Sequence, residues 1–263
     1  IYLNAHGVSP DFNKIKNDPL LAMHYFSFYA HARQISEHFP RYHRIAIKKA
    51  LEGKNFSKVL FENKNFPQEV WKAFTELTNG KSNPKITKGP VEEVLLKMKE
   101  EKEANFIKLL EKKNVKDAHN FLLGIRGIGP KLAALIMRDF HCFLNLWEGI
   151  KEEDLYRFQP VDRWIRRIAE ICWSGEEWPE HKHNKNARRI VWHCRQEGVD
   201  PIKFNQGAWF VGSHYTELCA FHGIKIEESV DMEKCIMRFD GHKVAKAIKR
   251  YEEMWEKREI FKV

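Results

Sequence analysis

The sequence predicts an all-α protein, and three observations support this class. Apolar residues recur at helical spacing between charged residues in segments 91–98 and 132–140. Turn-forming glycine, proline and asparagine residues interrupt the pattern, most clearly at 79–84. With 263 residues, the chain is long enough to bury a substantial core as one large domain or as two lobes. We therefore expect short helices that pack around buried apolar faces.

Segment 1–88 is expected to form an N-terminal helical region. Its stretch 20–30 is apolar and aromatic enough for a largely buried helix. The rings in this stretch favour core packing, with a pocket for a base as the alternative; they belong to Tyr25, Phe26, Phe28 and Tyr29. A helix near 45–51 is expected to end at Gly53, and Pro67 lies near the start of another helix.

Segment 90–116 alternates apolar residues with dense charge. This pattern predicts a surface helix that is interrupted near Asn105. Its charged residues are typical of a solvated helix face rather than a ligand site.

The centre of the chain predicts two helices joined by a glycine-rich turn, at 115–123 and 130–140. Gly127 and Gly129 supply backbone freedom, and Pro130 suits the first position of the second helix. The backbone N–H groups of the turn, including that of Ile128, lie at the N-terminus of that helix. This position suits a bound phosphate. We therefore expect a helix-hairpin-helix whose turn binds a phosphate, with the neighbouring Arg126 as a further candidate contact.

Lys131 lies in the first turn of the second helix and has two interpretations. The helix dipole and partial burial would favour a neutral, nucleophilic amine. Alternatively, Lys131 contacts a phosphate and performs no chemistry.

Asp162 precedes a predicted helix at 163–173 and also has two interpretations that are compatible. Its carboxylate suits the N-cap of that helix, and an oriented carboxylate at this position can also act in catalysis. Arg163 in this helix and Arg188 further along the chain are candidate phosphate contacts.

The run Gly127-Ile128-Gly129-Pro130-Lys131, followed by Pro160-Val161-Asp162, resembles the helix-hairpin-helix DNA glycosylase superfamily. The interval of 31 residues between Lys131 and Asp162 is most similar to that of the archaeal 8-oxoguanine glycosylases. The resemblance implies two helical lobes with a cleft between them, and it covers roughly residues 115–215. It implies a base-excision enzyme with AP lyase activity, in which Lys131 forms a Schiff base and Asp162 assists.

The same resemblance extends to segment 196–212, where Trp209 stands in the place of the tryptophan that stacks on the extruded base. Asn205 stands where that family has an acidic residue, so the base edge that is bound can differ. Core packing is the alternative role for Trp209.

Composition limits the partners and cofactors. The net charge is +9 and the sequence pI is near 9.2, which favours double-stranded DNA as a partner but also fits a lysine-rich surface. No apolar run is long enough to span a membrane, and no secretion signal is recognised. Five scattered cysteines indicate reduced thiols without an iron–sulfur cluster. We expect a cytoplasmic, nucleoid-associated monomer.

No metal site is expected, because the spacing of His181, His183, His193 and Cys194 matches no closed zinc site. No cofactor is expected to be required, although the hairpin carbonyls suit a monovalent cation. The expected organisation is an N-terminal region at 1–88, a helix-hairpin-helix core at 89–215 and a C-terminal helical segment at 216–263. The last segment is expected to contain a helix near 243–261.

Overall fold

The computed structural model describes residues 12–31, 38–144, 149–225 and 231–241, and it confirms the all-α class. None of these residues forms a β-strand. The described chain divides into two compact units between Pro160 and Val161. This division falls inside the segment 89–215, for which we expected a single core. We refer to the described residues up to Pro160 as the N-terminal unit and to those from Val161 onward as the C-terminal unit.

The N-terminal unit contains ten α-helices in its described residues, together with one π-helical and one 3₁₀ segment. The helices are α1 (Phe12–Asn17), α2 (Pro19–Ala30), α3 (His38–Leu51), α4 (Phe56–Glu62), α5 (Phe66–Leu77), α6 (Pro84–Lys88), α7 (Val94–Glu100), α8 (Phe106–Glu111), α9 (Val115–Leu123) and α10 (Pro130–Leu144). The π-helical segment Gly89–Glu93 joins α6 to α7, and the 3₁₀ segment spans Glu152–Phe158.

Aromatic rings connect α2, α8 and α10 in the core of the N-terminal unit. Phe26 lies 4.3 Å from Phe106 between ring centroids, and Tyr29 lies 5.5 Å from Phe140. Tyr25, Phe26 and Tyr29 are buried, so the core interpretation is confirmed for these three rings, whereas Phe28 is only partly buried.

Asn105 marks the interruption that the sequence predicted in segment 90–116. Its Oδ1 accepts the N–H groups of Ile107 and Lys108, which begins α8, and its Nδ2 donates to the carbonyls of Ile15 and Lys16 at the end of α1. One buried amide therefore caps α8 and attaches α1 to it.

The C-terminal unit contains α11 (Arg163–Cys172), α12 (His183–Gln196), α13 (Pro201–Ser213), α14 (Tyr215–Phe221) and α15 (Met232–Met237) among its described residues. Helices α11 and α13 pack closely because Gly212 has no side chain: a Cβ there would lie 2.5 Å from the Cβ of Trp164. The core of this unit includes Ile165, Ile190 and Tyr215.

Several predicted boundaries are confirmed, and two are wrong. Helices α9, α10 and α11 begin at the predicted residues, since Asn114 and Asp162 cap α9 and α11 and Pro130 occupies the first position of α10. Helix α10 continues four residues beyond the predicted end at Phe140. The polar and basic composition of residues 175–189 predicts a connection over this whole segment. The connection instead ends at Lys182, because α12 begins at His183 and buries Asn186, Ala187 and Ile190. The helix expected near 243–261 lies outside the described residues.

Candidate active site

The glycine-rich turn between α9 and α10 is docked on the helical arm formed by α6, the π-helical segment and α7. Two close backbone approaches define the contact. A Cβ on Gly89 would lie 1.8 Å from the carbonyl oxygen of Arg126, and a Cβ on Gly127 would lie 2.2 Å from the carbonyl oxygen of Ile86. Gly127 also has a φ of +85°, which L side chains rarely adopt. Glycine is therefore required on both sides of the contact.

Pro90 explains why the helical arm presents a carbonyl to the turn. Proline has no N–H, so the carbonyl of Ile86, four residues earlier, receives no α-helical hydrogen bond from residue 90. The helix widens here into the π-helical segment, in which the N–H of Val94 donates to the carbonyl of Gly89. Gly127 packs against the Ile86 carbonyl at this point.

Glu93 fixes the turn through Arg126. One carboxylate oxygen of Glu93 lies 2.6 Å from Nη2 of Arg126, and the other accepts the backbone N–H of Arg126 at 3.1 Å. Arg126, predicted as a phosphate contact, is thus paired with a carboxylate, although its side chain remains 57% exposed. No local pattern in the sequence indicates this pair, because the two residues are 33 positions apart.

The apolar residues of the turn anchor it because they are buried in the N-terminal unit. Ile125 and Ile128 are buried, and the N–H of Ile128 donates to the carbonyl of Ile125 at 3.0 Å. Within the described part of the chain, the N–H groups of Gly127 and Gly129 have no hydrogen-bond partner. These two N–H groups precede Pro130 at the start of α10, as the phosphate interpretation requires.

Lys131 lies in the first turn of α10 and is partly exposed. The apolar residues that follow it fix the orientation of the helix, because Leu132, Ala133 and Ile136 are buried. Position 131 is therefore at the rim of the N-terminal unit, next to the docked turn.

Asp162 is the N-cap of α11 in the C-terminal unit, as the sequence predicted. Its Oδ1 accepts the N–H groups of Trp164 at 2.9 Å and Ile165 at 3.0 Å. Next to it, the exposed guanidinium of Arg163 lies 4.8 Å from the centroid of the Trp164 ring. This cation–π contact orients Arg163 along the start of α11.

His183 holds the segment that leads to Asp162, a role that the sequence did not reveal. The N–H of Val161 donates to Nε2 of His183 at 3.1 Å, and Nδ1 of the same ring lies 3.3 Å from Oδ1 of Asn184. An acceptor role for Nε2 places the proton on Nδ1, which then donates to Asn184. His183, which we considered and rejected as a metal ligand, is therefore a positioning residue for this segment.

His193, on the same helix as His183, is paired with a carboxylate. Nε2 of His193 lies 2.8 Å from Oε1 of Glu176. Among the residues that the structure describes, no group of three or more His, Cys, Asp or Glu side chains is arranged to hold a metal ion. All five cysteines are free thiols.

The residues predicted for a base pocket lie on α13. Asn205 is fully buried inside the C-terminal unit. Trp209, one helical turn later, is partly buried and packs against the core of this unit, with its ring centroid 6.0 Å from that of His214. Packing explains this environment without a bound base. Arg188 is exposed on α12.

A cavity of about 820 Å³ lies in the N-terminal unit, but it does not include the predicted site residues. It is lined in part by Phe140, His141 and Arg157. His141 donates from Nδ1 to the carbonyl of Met137 at 2.8 Å, and burial lowers its pKa to about 4. The imidazole is therefore neutral near pH 7.

Comparisons with known proteins do not identify a family for this chain. No family model matches the chain, and no solved structure matches it significantly. An uncharacterized protein of Methanocaldococcus jannaschii is 39% identical over 64 residues, which are 24% of this chain and 15% of that protein. This chain therefore matches only a small part of the archaeal protein. No described helix is both long and apolar enough to cross a membrane.

Proposed function

We propose that the protein is a bifunctional DNA glycosylase with AP lyase activity, which extrudes and excises a damaged base through a Schiff base on Lys131. The proposed substrate is double-stranded DNA that contains an oxidised purine such as 8-oxoguanine. The observation that carries the proposal is the docked turn: directly before Pro130 and Lys131 lie two glycine N–H groups that have no hydrogen-bond partner among the described residues.

The turn supplies a phosphate-binding surface with a fixed shape. Gly89, Gly127 and Glu93 fix it on the helical arm, so the N–H groups of Gly127 and Gly129 keep one orientation. A phosphate bound there would benefit from both N–H donors and from the positive end of the α10 dipole. A base extruded next to this phosphate would bring its sugar toward the start of α10.

Lys131 would then act as the nucleophile. Its neutral Nζ attacks C1′ of the sugar, the bond between C1′ and the base nitrogen breaks, and the base leaves with a proton. The attacking nitrogen loses a proton, which balances the proton taken by the base. The sugar ring then opens as the C1′–O4′ bond breaks and O4′ takes a proton from water, which gives a Schiff base between Nζ and C1′. Removal of a C2′ proton then breaks the C3′–O bond, which cleaves the strand, and hydrolysis of the Schiff base restores the lysine.

Asp162 would stabilise the positive charge that develops on the sugar and assist proton transfer. Its position as a helix N-cap supports this role, because two backbone N–H groups hold the carboxylate in one orientation.

Two other functions stay as candidates, and the N-cap geometry of Asp162 is also compatible with the first of them. In a non-enzymatic DNA-binding module, the turn would clamp a phosphate and Asp162 would only cap α11. In a monofunctional glycosylase, Asp162 would activate water, and Lys131 would contact a phosphate.

Borohydride trapping tests the proposal. Duplexes that contain 8-oxoguanine, uracil, thymine glycol, hypoxanthine or an abasic site are incubated with wild-type protein and with Lys131→Gln. Lys85→Gln is the matched control, since Lys85 follows Pro84 at the start of α6 as Lys131 follows Pro130 at the start of α10. We expect a trapped adduct on one damaged base with wild type and Lys85→Gln, and none with Lys131→Gln.

Persistence of the adduct in Lys131→Gln would reject Lys131 as the nucleophile. If no duplex is trapped but DNA is still bound, the two other candidates are separated by alkali. Strand cleavage only after alkali identifies the monofunctional glycosylase, whereas an intact strand identifies the binding module.

A further inference from the structure

Helix α12 presents an exposed basic face with a tryptophan at its centre. The helix contains Lys185, Arg188, Arg189 and Arg195, and it contains no acidic residue. Lys185, Arg188, Trp192 and Arg195 follow one another at intervals of three or four residues, and all four are exposed. They therefore share one side of the helix.

The opposite side of α12 fixes this orientation. Ala187, Ile190 and Cys194 are fully buried in the C-terminal unit. A rotation of the helix that buried Trp192 would expose these three residues. Trp192 remains 57% exposed, the highest value among the exposed large hydrophobic residues of the described chain. Its exposure is a consequence of the helix packing, and the core leaves it available to a partner.

The ring of Trp192 contacts a neighbouring ring that is itself held in place. The centroid of its ring lies 4.7 Å from that of His193 in an edge-to-face contact at 77°. The His193 ring is stacked on Trp173 at 4.6 Å, and its Nε2 lies 2.8 Å from Oε1 of Glu176. Because His193 is fixed on two sides, the Trp192 ring has a rigid neighbour. Little further entropy is lost when a partner contacts the ring.

We propose that this face binds DNA at an unpaired base, with Trp192 stacked on the base and Arg188 and Arg195 facing the adjacent phosphates. An aromatic platform between cations is the combination that binds single-stranded nucleic acid, because every base offers a flat face and every linkage a negative charge. The charge of the chain, +9, complements this partner. DNA as the partner follows from the proposed function, whereas the stacking role rests on the geometry of α12.

The face does not suit insertion into a membrane. An interfacial helix requires a continuous apolar stripe, but Trp192 is the one exposed apolar residue of α12. Its exposed neighbours on the same side are Arg188, Arg195 and the neutral Gln196, all of them polar. A single ring is enough to stack on one base, and it buries too little apolar area to hold a helix in lipid.

The test compares the DNA affinity of wild type, Trp192→Ala and Trp192→Phe by fluorescence anisotropy of labelled DNA. The ligands are a single strand, a duplex with one unpaired base and a fully paired duplex of the same sequence. Phe61→Ala is the control, since Phe61 is an exposed aromatic residue of the other unit, on α4. Circular dichroism verifies that each variant is folded.

We expect Trp192→Ala to weaken binding to the single strand and the bulged duplex by roughly tenfold, with less than about a twofold effect on the paired duplex. Trp192→Phe retains most of the affinity, and Phe61→Ala matches wild type. Trp192→Ala leaves the salt dependence of binding unchanged because it removes no charge, whereas Arg188→Gln reduces the slope by about one.

Wild-type affinity of Trp192→Ala for both unpaired ligands would overturn the inference. So would binding to vesicles of phosphatidylserine and phosphatidylcholine that depends on Trp192 while DNA binding does not. The result is independent of the trapping experiment: adduct formation through Lys131 with no effect of Trp192 supports the proposed function alone. A Trp192 effect without any adduct supports this inference alone.

Discussion

Asp162 combines a structural and a proposed chemical role in one carboxylate. Its Oδ1 accepts two backbone N–H groups at the start of α11. Asparagine is as good an N-cap as aspartate, because its side-chain oxygen accepts the same hydrogen bonds. It carries no negative charge and cannot stabilise a cationic sugar. Replacement by asparagine therefore separates the two roles.

We predict that Asp162→Asn changes the free energy of unfolding by less than about 0.5 kcal/mol and slows base release by about a hundredfold or more. Denaturant unfolding and single-turnover base release measure the two effects. Asp200→Asn is the matched control, because Oδ1 of Asp200 caps α13 through the N–H groups of Ile202 and Lys203. Near-wild-type turnover of Asp162→Asn would leave Asp162 as a cap alone.

The candidate site was predictable at the residue scale where its signals are local. Gly127, Pro130 and Asp162 carry their roles in their own neighbours along the chain, since turn, first-turn and capping preferences depend on adjacent backbone. Glu93 and His183 were not predictable in this way. Each acts on a backbone N–H that is distant in sequence, that of Arg126 or that of Val161. Only the folded chain brings such pairs together.

At the scale of elements, the contact between the turn and the helical arm depends on glycine. Gly89 lies within the π-helical segment, where its backbone conformation would suit alanine but its surroundings would not. The backbone oxygen of Arg126 occupies the space of a Cβ and belongs to a turn that Glu93 holds in place. A methyl group at position 89 would therefore displace the turn, the arm or both.

We predict that Gly89→Ala lowers the free energy of unfolding by about 2 kcal/mol and weakens DNA binding. Gly207→Ala is the matched control, since Gly207 is an exposed glycine in the interior of α13 with no atom within 4 Å of an added Cβ. That change should raise stability by about 0.5–1 kcal/mol through helix propensity. Denaturant unfolding and DNA anisotropy measure both variants, and equal stabilities would contradict the crowded contact.

The helix starts that carry capping signals were predictable, whereas the start of α12 was not. Its first half is polar and basic, which is typical of a connection, and the side chain of Lys182 at its N-cap makes no capping hydrogen bond. The spacing of its buried residues was the available signal: Ala187, Ile190, Val191 and Cys194 recur at intervals of three, one and three positions.

At the scale of the whole molecule, buried histidines are concentrated in the N-terminal unit. Burial lowers the pKa of His31 to about 3, and those of His24 and His141 to about 4. Burial also lowers the pKa of His43 well below its ordinary value. Among the described residues, neither ring nitrogen of His31 or His43 has a hydrogen-bond partner.

These histidines predict acid sensitivity. The folded state keeps each ring neutral while the unfolded chain binds a proton below about pH 6.5, so stability is complete above that pH and falls as the pH is lowered toward 4. Each ring lowers the free energy of unfolding by about 1 kcal/mol as the pH decreases from about 6.5 to 5.5. Four rings together remove a large part of the stability of a typical domain.

We predict that the helical circular dichroism signal decreases before tryptophan emission shifts during acidification. Six of the eight tryptophans follow Pro160 in the sequence, so emission reports mainly on the C-terminal unit, whereas ellipticity reports on both. His31→Phe should move the first transition to lower pH, because His31 already lies between Phe39 and Phe74 at ring distances of 6.1 and 5.8 Å. The exposed His181 supplies the control, as His181→Ala. Coincident transitions in wild type would contradict the prediction.

The contact between Gly89 and the turn also limits how related sequences can diverge. A side chain at position 89 is compatible only with a turn that has moved away from the arm, and a side chain at position 127 only with an arm that has moved from the turn. In an alignment of relatives that share this arrangement, glycine should therefore be retained or lost at both positions together. Glu93 and Arg126 should follow the same pattern of joint replacement, because their pairing depends on the same spacing.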